Sequence, residues 1–162
     1  MSDIILRAAT VDDGRAVHQL VVETGVLDVN SVYAYCVLFD HFPATSVVAY
    51  RDDTLLGFVL GHPLAAKPDH YFLWQVGVSE QARGEGLATR LLGWVVDNVP
   101  DLRVLETTIT PDNTASRRLF RGFAARRAVD LTTRPGLSSD ALGAGHAPEE
   151  RFSLGPFSRS TS

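Results

Sequence analysis

Gln81-Ala82-Arg83-Gly84-Glu85-Gly86-Leu87-Ala88 follows an apolar, β-rich stretch, Tyr71 to Val78. It leads into a helical pattern with Leu87, Leu91, Leu92, Val95 and Val96 on one side. A strand, a turn carrying two glycines separated by one residue, and a helix start make a cradle for phosphate. The glycines let the backbone approach a ligand, and the unpaired N–H groups of the first helical turn point outward to an anion. Spacing narrows the choice of ligand. A dinucleotide fingerprint needs a third glycine where this chain has Thr89, and needs it after the first strand of the fold. A Walker loop needs a lysine inside the motif, whereas the only lysine is Lys67.

What remains resembles the Gln/Arg-x-x-Gly-x-Gly/Ala pyrophosphate loop of the GNAT-superfamily acetyltransferases, which bind acetyl-CoA. A short glycine pattern is equally compatible with a strand–helix corner that holds no ligand, so the context has to decide.

The 162 residues suffice for one domain with a real core, and 45% hydrophobic residues with a mean hydropathy of +0.04 are those of a soluble globular protein. No apolar run approaches the roughly 20 residues that span a bilayer, and Met1-Ser2-Asp3 does not open like a signal peptide. A formal charge of −4 and a pI near 5.7 argue against nucleic acid as a partner. The lone Cys36 excludes an internal disulfide and agrees with a reducing compartment. These features predict a cytoplasmic, membrane-free protein of one domain over residues 1–156, with a disordered tail over 157–162.

Along the chain, Ile4 to Ala8 reads as a strand, and Thr10-Val11-Asp12-Asp13 has the form of a capping box opening a helix that Gly25 ends. Asn30 is the expected cap of a second helix, with Val32, Tyr35, Cys36 and Phe39 on one stripe, which makes Cys36 a small core residue. Thr45 to Tyr50 and Leu55 to Gly61 read as a hairpin. After the glycine loop come a strand over Leu102 to Thr110, a short helix from Pro111 through Phe120, and a β run near Ala124 to Leu131. An irregular segment from Thr132 to Glu149 and a last strand near Arg151 to Leu154 complete the pattern.

This order, β-α-α-β-β-β-α-β-α-β-β, resembles the GNAT fold, an α/β (α+β) architecture with a central, mostly antiparallel mixed sheet flanked by helices. The resemblance implies that the strand at Val76-Gly77-Val78 splays and offers amides to the pantetheine arm. It further implies that Arg83, Gly84, Gly86, Leu87, Ala88 and Thr89 hold the diphosphate, and that Asn113 faces the cofactor. Within the superfamily the chain resembles the L-2,4-diaminobutyrate acetyltransferases of ectoine biosynthesis. The segments are 25–31, 45–49, Trp74-Gln75-Val76, 105–111, Asn113, 115–120 and Gly145-His146. The resemblance implies transfer of acetyl from acetyl-CoA to the 4-amino group of L-2,4-diaminobutyrate, giving N4-acetyl-2,4-diaminobutyrate, in a family whose members are commonly homodimers.

Some residues carry chemistry of their own. Val104, Glu106 and Thr108 share one strand face, so Glu106 is expected to be withdrawn from water, either salt-bridged to a core arginine or employed as a perturbed carboxylate. Asp28 lies between two helix patterns, as a turn cap or as a group holding a cation. Trp74 lines a pocket or simply packs. Tyr33 reaches the pocket or faces solvent. His146 and Glu149 lie in the late loop, where the resemblance alone makes them substrate residues. There is no Cys pair or His-Glu-x-x-His to suggest a metal.

The amine of such a substrate has a pKa of about 10 and must lose a proton before attack. Glu106, directly or through water, is the expected catalytic carboxylate, with Asp28 holding the cation and a strand amide at Val76 or Val78 meeting the oxyanion. The superfamily's thiolate-protonating tyrosine is replaced here by Phe120, leaving Tyr33, water or an unprotonated thiolate. Two other readings stay open. The acceptor is another small amine or a protein amine, or the chain is a CoA-binding module without turnover.

Overall fold

The computed structural model describes residues 2–158. Its elements are β1 (Ile5–Ala8), α1 (Gly14–Thr24), α2 (Val32–His41), β2 (Val47–Arg51), β3 (Thr54–Pro63), β4 (His70–Val78), α3 (Leu87–Asn98), β5 (Val104–Ile109), α4 (Thr114–Arg127), β6 (Asp130–Pro135), α5 (Ser139–Leu142) and β7 (Glu150–Gly155). Seven strands run in the order β1-β2-β3-β4-β5-β7-β6. The chain packs as two compact units, Met1–His62 with Leu73–Pro100, and Pro63–Phe72 with Asp101–Ser162. Strand β4 contributes residues to both. No helix of the described residues is long and apolar enough to cross a membrane.

In the first unit the register Val48↔Phe58 and Ala49↔Gly57 sorts the side chains of β2 and β3 onto two faces. Val48, Phe58 and Leu60 join Val17, Leu20 and Val21 of α1 and Tyr35 and Phe39 of α2 in one core. On the opposite face Gly57 lies under α3. A Cβ there would sit 3.0 Å from Leu91 and 3.1 Å from Leu87. Gly25, at φ 67°, ends α1 as its position predicts. Ahead of α1, the Thr10 N–H donates to the Asp13 carboxylate at 2.8 Å, the half of a capping box that the carboxylate supplies. The cap of α2 is Ser31, not Asn30. Its hydroxyl accepts from the Ala34 N–H at 3.1 Å, and the Asn30 N–H instead donates to the Tyr35 hydroxyl.

In the second unit β5 pairs in parallel with the start of β4, Phe72 facing Glu106, and antiparallel with β7, which pairs antiparallel with β6. Leu105, Ile109, Phe152 and Leu154 are buried, together with Phe120, Phe123 and Ala124 of α4. The guanidiniums of Arg117 and Arg121 lie over the Phe152 ring at 5.1 and 5.4 Å. Three boundaries differ from the sequence reading. Helix α4 runs on to Arg127, because Phe120, Phe123 and Ala124 keep helical spacing and Arg126 and Arg127 complement its C-terminus. The β run expected from Ala124 therefore begins only at Asp130, and part of the expected irregular segment is strand β6 and helix α5. Phe157, expected in a disordered tail, is buried. It lies 6.2 Å from the Phe123 ring, and its N–H donates to Arg103 O at 2.8 Å. Residues 159–162 of that expected tail lie outside the described residues.

Candidate active site

The glycine loop has the expected form. Gly84 and Gly86 take φ of 80° and 70°, and a Cβ at either would meet nothing within 4 Å. Left-handed backbone is what glycine permits, and the open space above both residues leaves room for a ligand. Gly86 caps α3, so the amides of Gly86, Leu87, Ala88 and Thr89 are helix-start donors, and none makes a main-chain bond among the described residues. Arg83 is exposed and 3.7 Å from Glu80. Glu85, between the glycines, is drawn to Arg51 at 3.0 Å, which offsets its charge beside an anion site.

The β4–β5 register extends from His70↔Val104 to Phe72↔Glu106, and Leu73–Val78 continue past it. Val76 and Val78 are half-buried, and Trp74, on the same strand face, is 39% exposed and so is not a core residue. Between them, inward-facing Gln75 is buried. Its Nε2 donates to Asp28 O at 2.7 Å, and its Oε1 accepts from the buried Tyr35 hydroxyl at 3.1 Å. Tyr35 and Gln75 thus pin the loop that carries Asp28 and leave its side chain exposed. Tyr33 is 79% exposed. Sequence reasoning placed Tyr35 only on the apolar stripe of α2 and gave Gln75 no role of its own. A glutamine at an inward strand position was the signal available, because a buried amide must find partners.

In the second unit, period-two registry builds a polar sheet face. Glu106 lies across from Ser153, and Ser153 across from Thr132. Thr108 lies across from Arg151, and Arg151 across from Arg134. Glu106 is 3% exposed. Its carboxylate meets His70 Nδ1 at 3.2 Å, Arg151 at 3.3 Å, Arg134 at 3.6 Å and Ser153 Oγ at 3.5 Å. Burial raises its pKa, but hydrogen bonds from His70 and Arg151, and their charges, outweigh burial and hold it below the ordinary carboxylate value. The carboxylate is ion-paired, but with Arg151 and Arg134, 26% and 57% exposed, rather than with a core arginine. Such a carboxylate stays ionised and is a weak base towards an ammonium group. Glu149 accepts from the Thr108 hydroxyl at 2.9 Å, which brings one end of the late loop to this face. His146 is exposed, with Nδ1 2.7 Å from Ala147 O. Asn113 uses its Oδ1 to cap α4 through the Ser116 N–H at 3.1 Å. Phe120 is buried and carries no hydroxyl. Among the described residues no group of His, Cys, Asp or Glu is placed to hold a metal ion.

Helix-start amides without main-chain partners thus follow a strand that extends past its parallel pairing, within a seven-stranded mixed sheet. The pattern of the acetyltransferase (GNAT) family matches residues 15–124, and the chain belongs to that family. Among curated relatives it is 44% identical to the L-2,4-diaminobutyric acid acetyltransferase of Halomonas elongata, over 96% of this chain and 83% of that protein. It is 45% identical to the enzyme of the same name from Chromohalobacter salexigens, over 95% and 82%. The diaminobutyrate acetyltransferase of Paenibacillus lautus, solved with L-2,4-diaminobutyric acid and coenzyme A, superposes with a TM-score of 0.91 at 32% identity, over 100% of both chains.

Proposed function

We propose that this protein moves acetyl from acetyl-CoA to the 4-amino group of L-2,4-diaminobutyrate, giving N4-acetyl-2,4-diaminobutyrate for ectoine biosynthesis. The observation that carries the reading is the end-to-end likeness to an enzyme solved with that amino acid and coenzyme A. The free amides at Gly84 and Gly86–Thr89 support the diphosphate assignment. In this reading Val76 and Val78 serve the pantetheine and Asn113 flanks the cofactor. Trp74, Tyr33, Asp28, His146 and Glu149 serve the amino acid.

Chemistry divides the labour. The amine, with a pKa of about 10, arrives protonated and must shed a proton to solvent or a carboxylate. Asp28, exposed on a pinned loop, is suited to attract that ammonium. Glu106, held ionised by its neighbours, contributes fixed charge rather than a proton-accepting site. Orienting the amine against the thioester supplies much of the rate, and a β4 amide stabilises the oxyanion. With Phe120 in place of a hydroxyl, water or Tyr33 protonates the departing thiolate. The use of acetyl-CoA and the single Cys36 support a cytoplasmic setting, and the family resemblance supports a homodimer.

The test is incubation with acetyl-CoA and L-2,4-diaminobutyrate, following free thiol and locating the acetyl group by NMR. Thiol release with acetyl on N4 is expected. Acetylation of N2 alone, or of peptides but not of the diamino acid, would overturn the assignment.

A further inference from the structure

The polar face of the second unit sets two guanidiniums around the buried Glu106 carboxylate, with Glu149 at its edge on the Thr108 hydroxyl. Two guanidiniums and an imidazole converge on one carboxylate, that of Glu106. Glu106 has four lone-pair sites, whereas each guanidinium has five N–H donors in a planar fork. One carboxylate, met at 3.3–3.6 Å by single contacts, leaves most of those donors unused. Arg151 is 26% exposed and Arg134 57% exposed, so both keep donors within reach of solvent. The cross-strand register sets them side by side, Arg134 opposite Arg151. Adjacent like charges across a ladder destabilise the sheet unless an anion lies between them. Glu106 supplies one anion, and the solvent-reachable donors of both guanidiniums stay open to a second.

We propose that Arg134 and Arg151 form a clamp for the α-carboxylate of the amino-acid substrate, with Glu106 as the buried counter-charge that positions both guanidiniums. The inference rests on the diamino-acid reading above and deepens it. A small diamine offers two similar ammonium ends, and a carboxylate clamp is what tells them apart. It fixes the amine beside the carboxylate and leaves the distal amine to react. Arg–carboxylate pairing is directional and frequently bidentate, which suits it to that selection. Arginine at 134 and 151 is not replaceable by lysine without loss of the fork. Ser153, 3.5 Å from Glu106, completes the ring of donors around the counter-charge.

The test compares L-2,4-diaminobutyrate with 1,3-diaminopropane, the same diamine without its carboxylate. In wild-type enzyme kcat/KM favours diaminobutyrate. In Arg134→Met, an exposed substitution that the fold tolerates, the ratio of the two kcat/KM values falls at least tenfold, chiefly through the KM for diaminobutyrate. Arg134→Lys recovers part of it. Arg151→Met behaves alike, with acetyl-CoA affinity by calorimetry as the check that it folds. An unchanged ratio, or an equal loss on both amines, overturns the clamp while leaving the acetyltransferase reading intact. Wild-type enzyme that acetylates neither amine overturns both.

Discussion

At the scale of single residues, two buried carboxylates are held ionised by different sets of neighbours. Asp13 accepts from Arg7 through both oxygens at 2.8 Å, from the Thr10 N–H at 2.8 Å and from the Tyr50 hydroxyl at 2.9 Å. Burial raises its pKa, yet those bonds carry it below its ordinary 3.8. Burial and the same carboxylate push Tyr50 up to about 12. A depressed folded pKa gives stability that is complete above the unfolded value and lost as pH falls through the folded one. Asp13 therefore supports the fold fully above its ordinary 3.8 and Glu106 above 4.5, and each contribution fades as pH falls below that value through the depressed folded one. Tyr50 works the other way, its support fading as pH climbs from 10 to about 12. Asp13→Asn is expected to cost about 2 kcal/mol at neutral pH, with a shallower loss of stability in acid, measured by urea unfolding at pH 7 and pH 3.5. Glu106→Gln leaves Arg134 and Arg151 without their counter-charge. It should lower kcat/KM for the diamino acid by roughly ten- to a hundredfold while acetyl-CoA affinity by calorimetry stays put. A loss confined to acetyl-CoA binding would contradict a counter-charge role for Glu106. That Glu106 would be buried was legible from strand alternation. His70, Arg134, Arg151 and Ser153, its partners, come from three other strands, and no local spacing announces them.

At the scale of elements, glycines do opposite work on either side of β4. Gly77 faces inward, and a Cβ there would stand 2.7 Å from Phe58 and 3.2 Å from Leu27. Gly77→Ala should destabilise by about 1–3 kcal/mol, read as a lower urea midpoint at unchanged slope. Gly84 has no neighbour to clash with, only a positive φ. Gly84→Val should cost about 1–2 kcal/mol of strain and, if the open space above Gly84 receives the diphosphate as proposed, abolish coenzyme A binding. Undiminished binding by calorimetry would mean the loop is not the diphosphate site. The loop was readable from sequence because its whole mechanism lies in eight consecutive residues. Helix α4 was read short because Arg-rich, small-residue helix and Ala-rich strand differ little in a short window. Its apolar partners, Phe152 and Phe157, are about thirty residues away along the chain.

For the molecule as a whole, coenzyme binding to the native state alone should raise stability by mass action. At a hundred times its dissociation constant acetyl-CoA contributes about 2.7 kcal/mol, or roughly 5–10 °C in Tm for a chain of this size, measurable by scanning fluorimetry. No shift at saturating acetyl-CoA would argue against a preformed cofactor site. The order of strands and helices as far as α4, the glycine loop and the apolar stripes of α1, α2 and α3 follow from local pattern alone, since periodicity and turn chemistry act over neighbouring residues. Tertiary packing decided the pinning of the Asp28 loop through Gln75 and Tyr35, and the anchoring of Phe157. It also surrounded the buried Glu106 carboxylate with His70, Arg134 and Arg151. The physical reason is common to these cases. A side chain's charge state and reach depend on partners that registry brings in from remote strands, and registry is a property of the assembled sheet.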